Sequence, residues 1–279
     1  MTDHPPVPPE QAERQPKKHK KPLRRRWWFW LLLVVALLLF LPLVVVGLIL
    51  LALHTEKGTA WTIDQIPGLQ TEADRGSLLG QWQAERLEWH GYGVGVVVEA
   101  PEVDWSPTCL FEKTICLDTL KADRIAVTLQ PSESDDERSG DISLPRINLP
   151  LAVVIGDVAL GPLTVNDGAI WDRFELQSRA SGASLELEHV LYQLDEIRVS
   201  ASGRADMRRD WPLDIDVDVS LPPPSGDDWQ ITVNLGGSVR DLRLRGASSG
   251  YLNANIQGQV QPLESRLPAS IRLESERFL

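Results

Sequence analysis

The sequence predicts an all-β body behind one amino-terminal transmembrane helix, and two observations lead to this prediction. Residues 31–53 are apolar throughout, whereas from about residue 81 onward short runs alternate apolar and polar residues. Alternation with a period of two between turn residues is typical of strands with one face on apolar material and one in water. It is clearest in WPLDIDVDVSL, residues 211–221, where three aspartates alternate with aliphatic residues. These residues are Leu213, Asp214, Ile215, Asp216, Val217, Asp218 and Val219.

The first 26 residues form a basic tail that we expect to be disordered and cytoplasmic. They are rich in Pro, Gln and Lys and carry a net charge of +5, a composition that cannot bury enough apolar surface to fold. Because the whole chain carries −11 and residues 27–53 carry no charge, residues 54–279 carry −16. An acidic body argues against nucleic acid as a partner, since phosphates demand a basic face.

Residues 27–53 are predicted to span a membrane once. A helix over Leu31–Leu53 reaches roughly 34 Å, enough for a hydrocarbon core of about 30 Å, and Pro42 should kink it. Trp27, Trp28 and Trp30 suit one membrane interface as aromatic anchors. The basic cluster before them should stay in the cytoplasm, which places the body outside. A cleaved signal peptide or a buried soluble helix is the alternative, disfavoured by the length of the run and the lack of a small-residue cleavage site.

A connector is expected at residues 54–80, before the β-rich body at residues 81–279. Pro67-Gly68, Gly76 and Gly80 punctuate it, and a short helix is expected near 62–80, around Thr62–Ile66. Farther on, glycines at 91, 93 and 95 suggest a bulge or a bend in a strand. Predicted strands then follow at 124–130, 151–160, 169–179, 184–190, 197–206, 213–221, 230–235, 239–246, 252–260 and 269–276.

A rough internal repeat supports a sheet built by adding similar hairpins. Residues 197–205 align with 252–260 at a shift of 55, which superposes Gly203 on Gly258, and residues 211–217 align with 267–273 at a shift of 56. Such a period is typical of solenoid-like architectures. A chance match between β-rich segments is the alternative.

Catalytic chemistry is not predicted, and we expect neither an enzyme nor a cofactor. His90 and His189 have no metal-ligand partner at a suitable spacing, so ordinary surface histidines are the preferred interpretation. The aspartates 214, 216 and 218 resemble a calcium ladder, but no glycine turn or closing glutamate accompanies them. A solvated strand face is therefore preferred, and no metal site is expected.

Two cysteines, Cys109 and Cys116, are the only ones in the chain. Outside the cytoplasm such a pair is expected to form a disulfide, because six residues allow a hairpin that brings the two together. Two free thiols are the alternative. A metal site is not expected, since no histidine or third cysteine stands nearby.

The apolar strand face must contact something, and two interpretations compete. A curved open sheet would leave a groove that could hold acyl chains, whereas a closed β-sandwich would bury the same residues in a core. Trp105 and Trp171 fit either a core or a lipid-facing wall. The residues predicted to line the groove are Val199, Ala201, Leu213, Ile215, Val217, Val219 and Ile256.

Residues 66–117 carry a resemblance to a known family. IPGLQTEADRGSLLGQW at 66–82, the DWSP run at 104–107, Cys109-Leu110 and Cys116 resemble the amino-terminal part of the TamB family, the inner-membrane component of the translocation and assembly module and a relative of AsmA-like bridge proteins. LGPLTVN at 160–166, Trp171 and the WPL run at 211–213 continue the similarity, which covers most of residues 60–279.

This resemblance implies a taco-like β-groove in the periplasm, anchored in the inner membrane, with a role in outer-membrane biogenesis. The expected activities are support for assembly or secretion of outer-membrane and autotransporter proteins, and phospholipid transfer between the membranes. The expected partners are the membrane, phospholipid acyl chains and a TamA-like outer-membrane barrel protein. Because family members are much longer, the chain is expected to be truncated at its carboxyl end, and the barrel would be reached through the missing part.

Overall fold

The computed structural model describes residues 24–130, 144–223, 228–264 and 268–275. More than half of the described residues lie in strands, so the predicted all-β class with one apolar amino-terminal helix is confirmed. The chain divides into two units, residues 1–49 and 50–279. The predicted disordered tail at 1–26 lies almost wholly outside the described residues.

The first helix, α1, runs over Arg24–Leu53. Its segment Ala36–Leu53 has a mean hydropathy of 3.1, long and apolar enough to cross a membrane. Pro42 lies inside it. Trp27, Trp28 and Trp30 fall near its amino end, but their side chains are not among those described.

The second helix, α2, covers Glu56–Asp64, earlier in the chain than the predicted short helix. Thr55 caps it, because its side-chain oxygen accepts a hydrogen bond from the Gly58 amide, and Glu56 places a negative charge in the first turn. One face carries the buried residues Thr59 and Ile63. The predicted connector at 54–80 therefore contains ordered structure, and the strands begin at Leu69.

Nineteen strands occur within the described residues. They are β1 (Leu69–Glu72), β2 (Arg75–Gly76), β3 (Gln81–Gln83), β4 (Arg86–Gly91), β5 (Val94–Glu99), β6 (Glu102–Ser106), β7 (Thr114–Ala122), β8 (Arg124–Leu129), β9 (Leu149–Leu160), β10 (Leu163–Val165), β11 (Gly168–Trp171), β12 (Arg173–Gly182), β13 (Ser184–Leu194), β14 (Ile197–Asp206), β15 (Pro212–Leu221), β16 (Trp229–Ser238), β17 (Leu242–Gly250), β18 (Ala254–Val260) and β19 (Ala269–Ser275). A 3-10 helix, Pro107–Glu112, separates β6 from β7.

These strands form two sheets. The smaller has six strands in the order β1-β4-β5-β8-β10-β11, and the larger has thirteen in the order β19-β18-β17-β16-β15-β14-β13-β12-β9-β7-β6-β3-β2. From β12 onward the chain is an antiparallel meander, in which each strand pairs with the next. The parallel pairs are β7 with β9 and β8 with β10.

The chain passes between the two sheets through connections of one or two residues, and we call this line of connections the crease. Ala73-Asp74, Ala100-Pro101, Asp123 and Gly161-Pro162 are such connections. Ala73 and Ala100 take positive φ values of 52° and 47°, which turn the chain sharply. Gly161 is needed for close approach, because a Cβ there would lie 2.0 Å from the Asp123 carbonyl oxygen.

The glycines at 91, 93 and 95 serve a hairpin. Gly91 pairs with Val94, so Tyr92 and Gly93 form a two-residue turn between β4 and β5. Both turn residues have positive φ, 52° and 76°, as a tight hairpin of the primed types requires. The predicted bend is thus a chain reversal.

Candidate functional site

One face of the larger sheet is apolar along its whole length. Residues paired directly across strands point to the same face, and one set of pairs continues through all thirteen strands. We call this set the central row. It consists of Gly76, Trp82, Val103, Leu120, Val158, Leu176, Val190, Ala201, Val217, Val233, Gly246, Ile256 and Leu273. The row contains no charged, hydroxyl or amide side chain, and Trp82 is its one member with a polar atom in the side chain.

Rows on both sides widen this apolar face. One flanking row runs through Leu117, Ile155, Ser178, Leu187, Gly203, Ile215, Leu235, Leu244, Gly258 and Ile271. Its polar member, Ser178, is buried. The row on the other side includes Leu160, Phe174, Tyr192, Val199, Val219 and Ile231. The face is therefore an apolar strip several side chains wide.

All seven residues predicted to line a groove lie on this face. Ala201, Val217 and Ile256 belong to the central row, and Ile215 lies in the first flanking row. Val199 pairs with Val219, and Leu213 pairs with Ala205. The side chains are half-buried, whereas Asp214, Asp216 and Asp218 on the opposite face are exposed.

At the amino-terminal end the apolar strip is closed by a small core. Ile63 of α2 packs with Trp82 and Ala84, and the partly buried Leu69, Leu78, Leu87 and Val103 surround them. Leu69 and Leu87 come from the smaller sheet, whereas Trp82 and Val103 come from the larger one. The two apolar faces therefore meet at this end.

Exposure of the apolar face rises toward the far edge. Val158 in β9 is 5% exposed, whereas Ile271 and Leu273 in β19 are 63% and 60% exposed. The main contacts of β14–β19 within the described residues are with their neighbours in the sheet. The central row is therefore buried at Trp82 and Val158 and only partly covered at Ala201, Val217 and Val233.

The opposite face of β15 and β16 is held by side-chain hydrogen bonds. The Asn234 Nδ2 atom donates to Asp214 Oδ1 at 3.0 Å and to Asp216 Oδ1 at 2.9 Å. The Thr232 hydroxyl donates to Asp218 Oδ1 at 2.7 Å. Among the described residues, no group of three or more His, Cys, Asp or Glu side chains could hold a metal ion. The aspartates act as acceptors in a solvated cross-strand network.

An arginine and a carboxylate form an ion pair at the turn after β14. The Arg208 guanidinium hydrogen-bonds to the Asp206 carboxylate, with Nε to Oδ1 at 2.8 Å, and so holds the pKa of Asp206 below its ordinary value. The same contact raises the pKa of Arg208. His189 has an acidic neighbour that its sequence position did not reveal, because Glu175 Oε2 on β12 lies 3.4 Å from His189 Nε2. Both pairs lie in structural contacts: His189 and Glu175 join neighbouring strands, and Asp206 and Arg208 lie at a turn.

The two cysteines are bonded in the structure, with an S–S distance of 2.11 Å and a Cα–Cα distance of 6.0 Å. The 3-10 helix Pro107–Glu112 supplies the turn between them. Leu110 and Phe111 on this turn are exposed, at 45% and 93%.

Both tryptophans whose role the sequence left open donate hydrogen bonds to backbone carbonyls. Trp105 Nε1 lies 2.6 Å from the Leu78 oxygen, and Trp171 Nε1 lies 3.1 Å from the Gly161 oxygen at the crease. The Trp171 ring also contacts Phe174, with centroids 5.3 Å apart. Trp171 therefore combines an apolar contact with a structural hydrogen bond, and Trp105 contributes a structural hydrogen bond.

Sequence reasoning missed the amino-terminal half of the strip. Trp82, Val103, Leu120 and Val158 continue the central row of Val217, but they lie in strands that are distant in sequence. Alternation within each strand was the available signal. The register that joins them depends on the parallel pairing of β7 with β9, which nothing local in the sequence reveals.

Comparison with known proteins gives one family. The family described as TamB, N-terminal domain, matches the chain over two overlapping segments, residues 44–169 and 141–278. No solved structure matches the chain.

Proposed function

The chain belongs to the TamB family, and from this premise we propose that it is an inner-membrane-anchored periplasmic component that carries phospholipid acyl chains along the apolar face of its larger sheet. At the level of the family, membership supports a role in outer-membrane protein assembly or lipid transport, with a non-enzymatic bridge or assembly function. Assembly or secretion of outer-membrane and autotransporter proteins is the broader process that this transfer would serve.

The unbroken central row is the observation that carries the proposal. A lipid tail needs a continuous apolar surface, because each methylene removed from water is worth about 0.8 kcal/mol and a polar break would forfeit that gain. One side chain or glycine from every strand of the 13-stranded sheet lies in this row; Trp82 and Val103 at its amino-terminal end are covered by the core around Ile63, and the later members supply the surface. With neighbouring strands about 4.8 Å apart, the row extends over roughly 60 Å.

Partial exposure favours a groove over the alternative, a membrane-anchored β-sandwich binding module. A second sheet packed on the apolar face would bury Val217 and Val233 as fully as a protein core buries its residues. Both are only half-buried, and the buried residue of the central row nearest to them is Val158. The face therefore has room for an apolar ligand.

The proposed placement follows from α1. The apolar helix and the family support anchoring in the inner membrane. The basic residues before it favour a cytoplasmic amino terminus, which puts residues 54–279 in the periplasm. Trp27, Trp28 and Trp30 would anchor the cytoplasmic interface. At the family level the partner is TamA.

Photo-crosslinking in intact cells tests the proposal. A photoreactive amino acid replaces Val217, and the matched control replaces Asp216, its neighbour on the same strand and the opposite face. Phospholipid adducts at position 217 and none at 216 are the expected result. Absence of adducts at both positions would reject the groove and leave the binding module as the better description.

A further inference from the structure

Three large exposed side chains lie on α2, on the turn that follows it, and on the β4–β5 turn that is hydrogen-bonded to that segment. Trp61 on α2 is 65% exposed, Ile66 in the following turn is 44% exposed, and Tyr92 at the β4–β5 turn is 100% exposed. We call them the juxtamembrane cluster. Exposed aromatic groups beside a membrane span are the side chains that favour the interfacial region, where one end is apolar and the other is wet.

Hydrogen bonds and strand register bring the cluster together. Leu69 of β1 pairs with Trp89 of β4, and the His90 amide donates to the Gly68 carbonyl at 2.9 Å. Gly68 lies two residues after Ile66, and His90 lies two residues before Tyr92, so this hydrogen bond holds the β4–β5 turn next to the turn that follows α2. The Ile66 amide bonds to Ile63 and the Leu69 amide to Ile66, so this turn is attached directly to α2.

The fold leaves Trp61 on the side of α2 that faces away from the protein. Thr59 and Ile63 fill the buried face, and the Thr59 hydroxyl accepts a hydrogen bond from the Leu78 amide at 3.1 Å. Trp61 is therefore not available to the core formed by Ile63 and Trp82. A large aromatic ring held in water is unfavourable unless something else covers it.

Chain length decides what lies within reach. α1 ends at Leu53 and α2 begins at Glu56. The two linking residues lie in a turn, in which the Thr55 amide donates to the Ala52 carbonyl. Three residue steps from Leu53 to Glu56 and five helical steps to Trp61 place Trp61 within about 18 Å of the end of the apolar segment. The polar region of a bilayer occupies roughly 5–8 Å on each side of the hydrocarbon. The cluster is thus close enough to enter it by a modest tilt of the body.

We propose that Trp61, Ile66 and Tyr92 form a membrane-docking surface that sits in the headgroup region of the leaflet where α1 emerges. This rests on α1 spanning the membrane, as in the proposed function. Docking there would hold the Trp82-containing end of the apolar strip close to that leaflet. The exposed His54, Glu56 and Lys57 next to Leu53 suit the same polar layer.

The test uses the full chain in bacterial membranes, with p-benzoylphenylalanine replacing Trp61 or Tyr92 one at a time. Tyr251, 42% exposed in the β17–β18 turn, and Phe111, 93% exposed on the disulfide turn, are controls of matched chemistry. After illumination, phospholipid adducts are quantified by mass spectrometry. Adducts at positions 61 and 92 at least about tenfold above those at 251 and 111 are expected, since only the first pair would touch lipid.

Equal yields at all four positions, or none at 61 and 92, would overturn docking. An adduct to a protein at 61 or 92 in place of lipid would also overturn it, because the cluster would then be a protein interface. Alkaline extraction shows separately whether the chain is embedded through α1. Adducts at 61 and 92 without any at Val217 would uphold docking while rejecting the groove, so the two proposals fail independently.

Discussion

Trp82 and Trp105, on strands β3 and β6 of the larger sheet, differ in whether the indole nitrogen donates a hydrogen bond. Trp82 is buried at 6% exposure, yet its Nε1 atom has no hydrogen-bond partner among the described residues. Trp105 is half-buried and donates to the Leu78 carbonyl. The Trp82 ring therefore stabilises the fold through packing alone. The Trp105 ring also satisfies a backbone carbonyl, that of Leu78 in the loop between β2 and β3.

This difference predicts that replacement by phenylalanine lowers the free energy of unfolding less at Trp82 than at Trp105. Trp82→Phe keeps an aromatic ring and leaves no carbonyl unpaired, so it should cost less than about 1.5 kcal/mol, whereas Trp82→Ala should cost about 3–5 kcal/mol. Trp105→Phe should cost about 1–3 kcal/mol because the Leu78 carbonyl loses its donor. Urea unfolding of the full chain in detergent measures all three. A smaller loss for Trp105→Phe than for Trp82→Phe would contradict the hydrogen-bond argument.

The cysteine pair offers a second prediction for single residues. A bridge between Cys109 and Cys116 closes a very short loop, so the double replacement with serine should lower stability by about 2 kcal/mol. Mass spectrometry of the unreduced protein should find the two linked in one peptide pair. Two free thiols in protein taken from the periplasm would refute the pairing.

At the scale of the strand, the internal repeat aligns Gly203 with Gly258, but the two glycines differ in backbone conformation and in the space around them. Gly203 and Gly258 share one flanking row, and they pair with Ile215 and Ile271. Gly203 has φ +149°, and a Cβ there would lie 2.3 Å from the Asp214 carbonyl oxygen. At Gly258 the nearest atom would be the Ser270 oxygen at 3.1 Å. A register shift in β13 between Leu187 and Val190 lies opposite Gly203 and accompanies its unusual backbone.

Gly203→Ala should therefore destabilise the protein by about 2–3 kcal/mol, because both the backbone conformation and the neighbouring carbonyl oppose a side chain. Gly258→Ala should change stability by less than about 1 kcal/mol, since its neighbours need move only slightly. Paired thermal or urea unfolding curves of the two variants provide the measurement. Equal losses would mean that the two halves of the repeat are equivalent after all.

Strands such as β15 could be predicted from sequence because alternation with a period of two is a local property, and Asp214–Val219 displays it without interruption. The helix α2 was expected too late, since its signal is a cap, Thr55 followed by Glu56, and not an apolar period. The crease at Asp123 and Gly161 could not be anticipated, because it depends on two sheets meeting through residues far apart in sequence. The central row was likewise visible only in pieces.

At the scale of the whole molecule, the two faces of the larger sheet have different roles: side chains on the polar face hydrogen-bond across strands, and the apolar face is left for a ligand. The polar face of β15 and β16 stabilises the strands through Asn234 and Thr232, so the apolar face need not be covered for those strands to stay paired. The closed end at Trp82 supplies a conventional core. A sheet built this way can keep an apolar face available to a ligand and still hold its register.

If lipid moves along the central row, it must pass every strand in turn. Separate binding sites would not require this. Ala201 lies between Val190 and Val217 in the central row, and Ser202 is its exposed neighbour on the opposite face. Ala201→Arg puts a charge on the path, at a cost of about 2.5–3.5 kcal/mol to an adjacent lipid tail. Lipid crosslinking at Ile256, beyond this point, should then fall by at least about tenfold. Crosslinking at Leu176, nearer the membrane, should persist.

Ser202→Arg is the matched control, because it adds the same side chain to the same strand on the outer face. It should leave adducts at both Leu176 and Ile256 unchanged, and circular dichroism should show both variants folded. A passage fed from the membrane end requires this asymmetry between Leu176 and Ile256. Unchanged crosslinking at Ile256 in Ala201→Arg would show that lipid reaches β18 without passing β14, and the central row would then be a set of separate contacts and not a path.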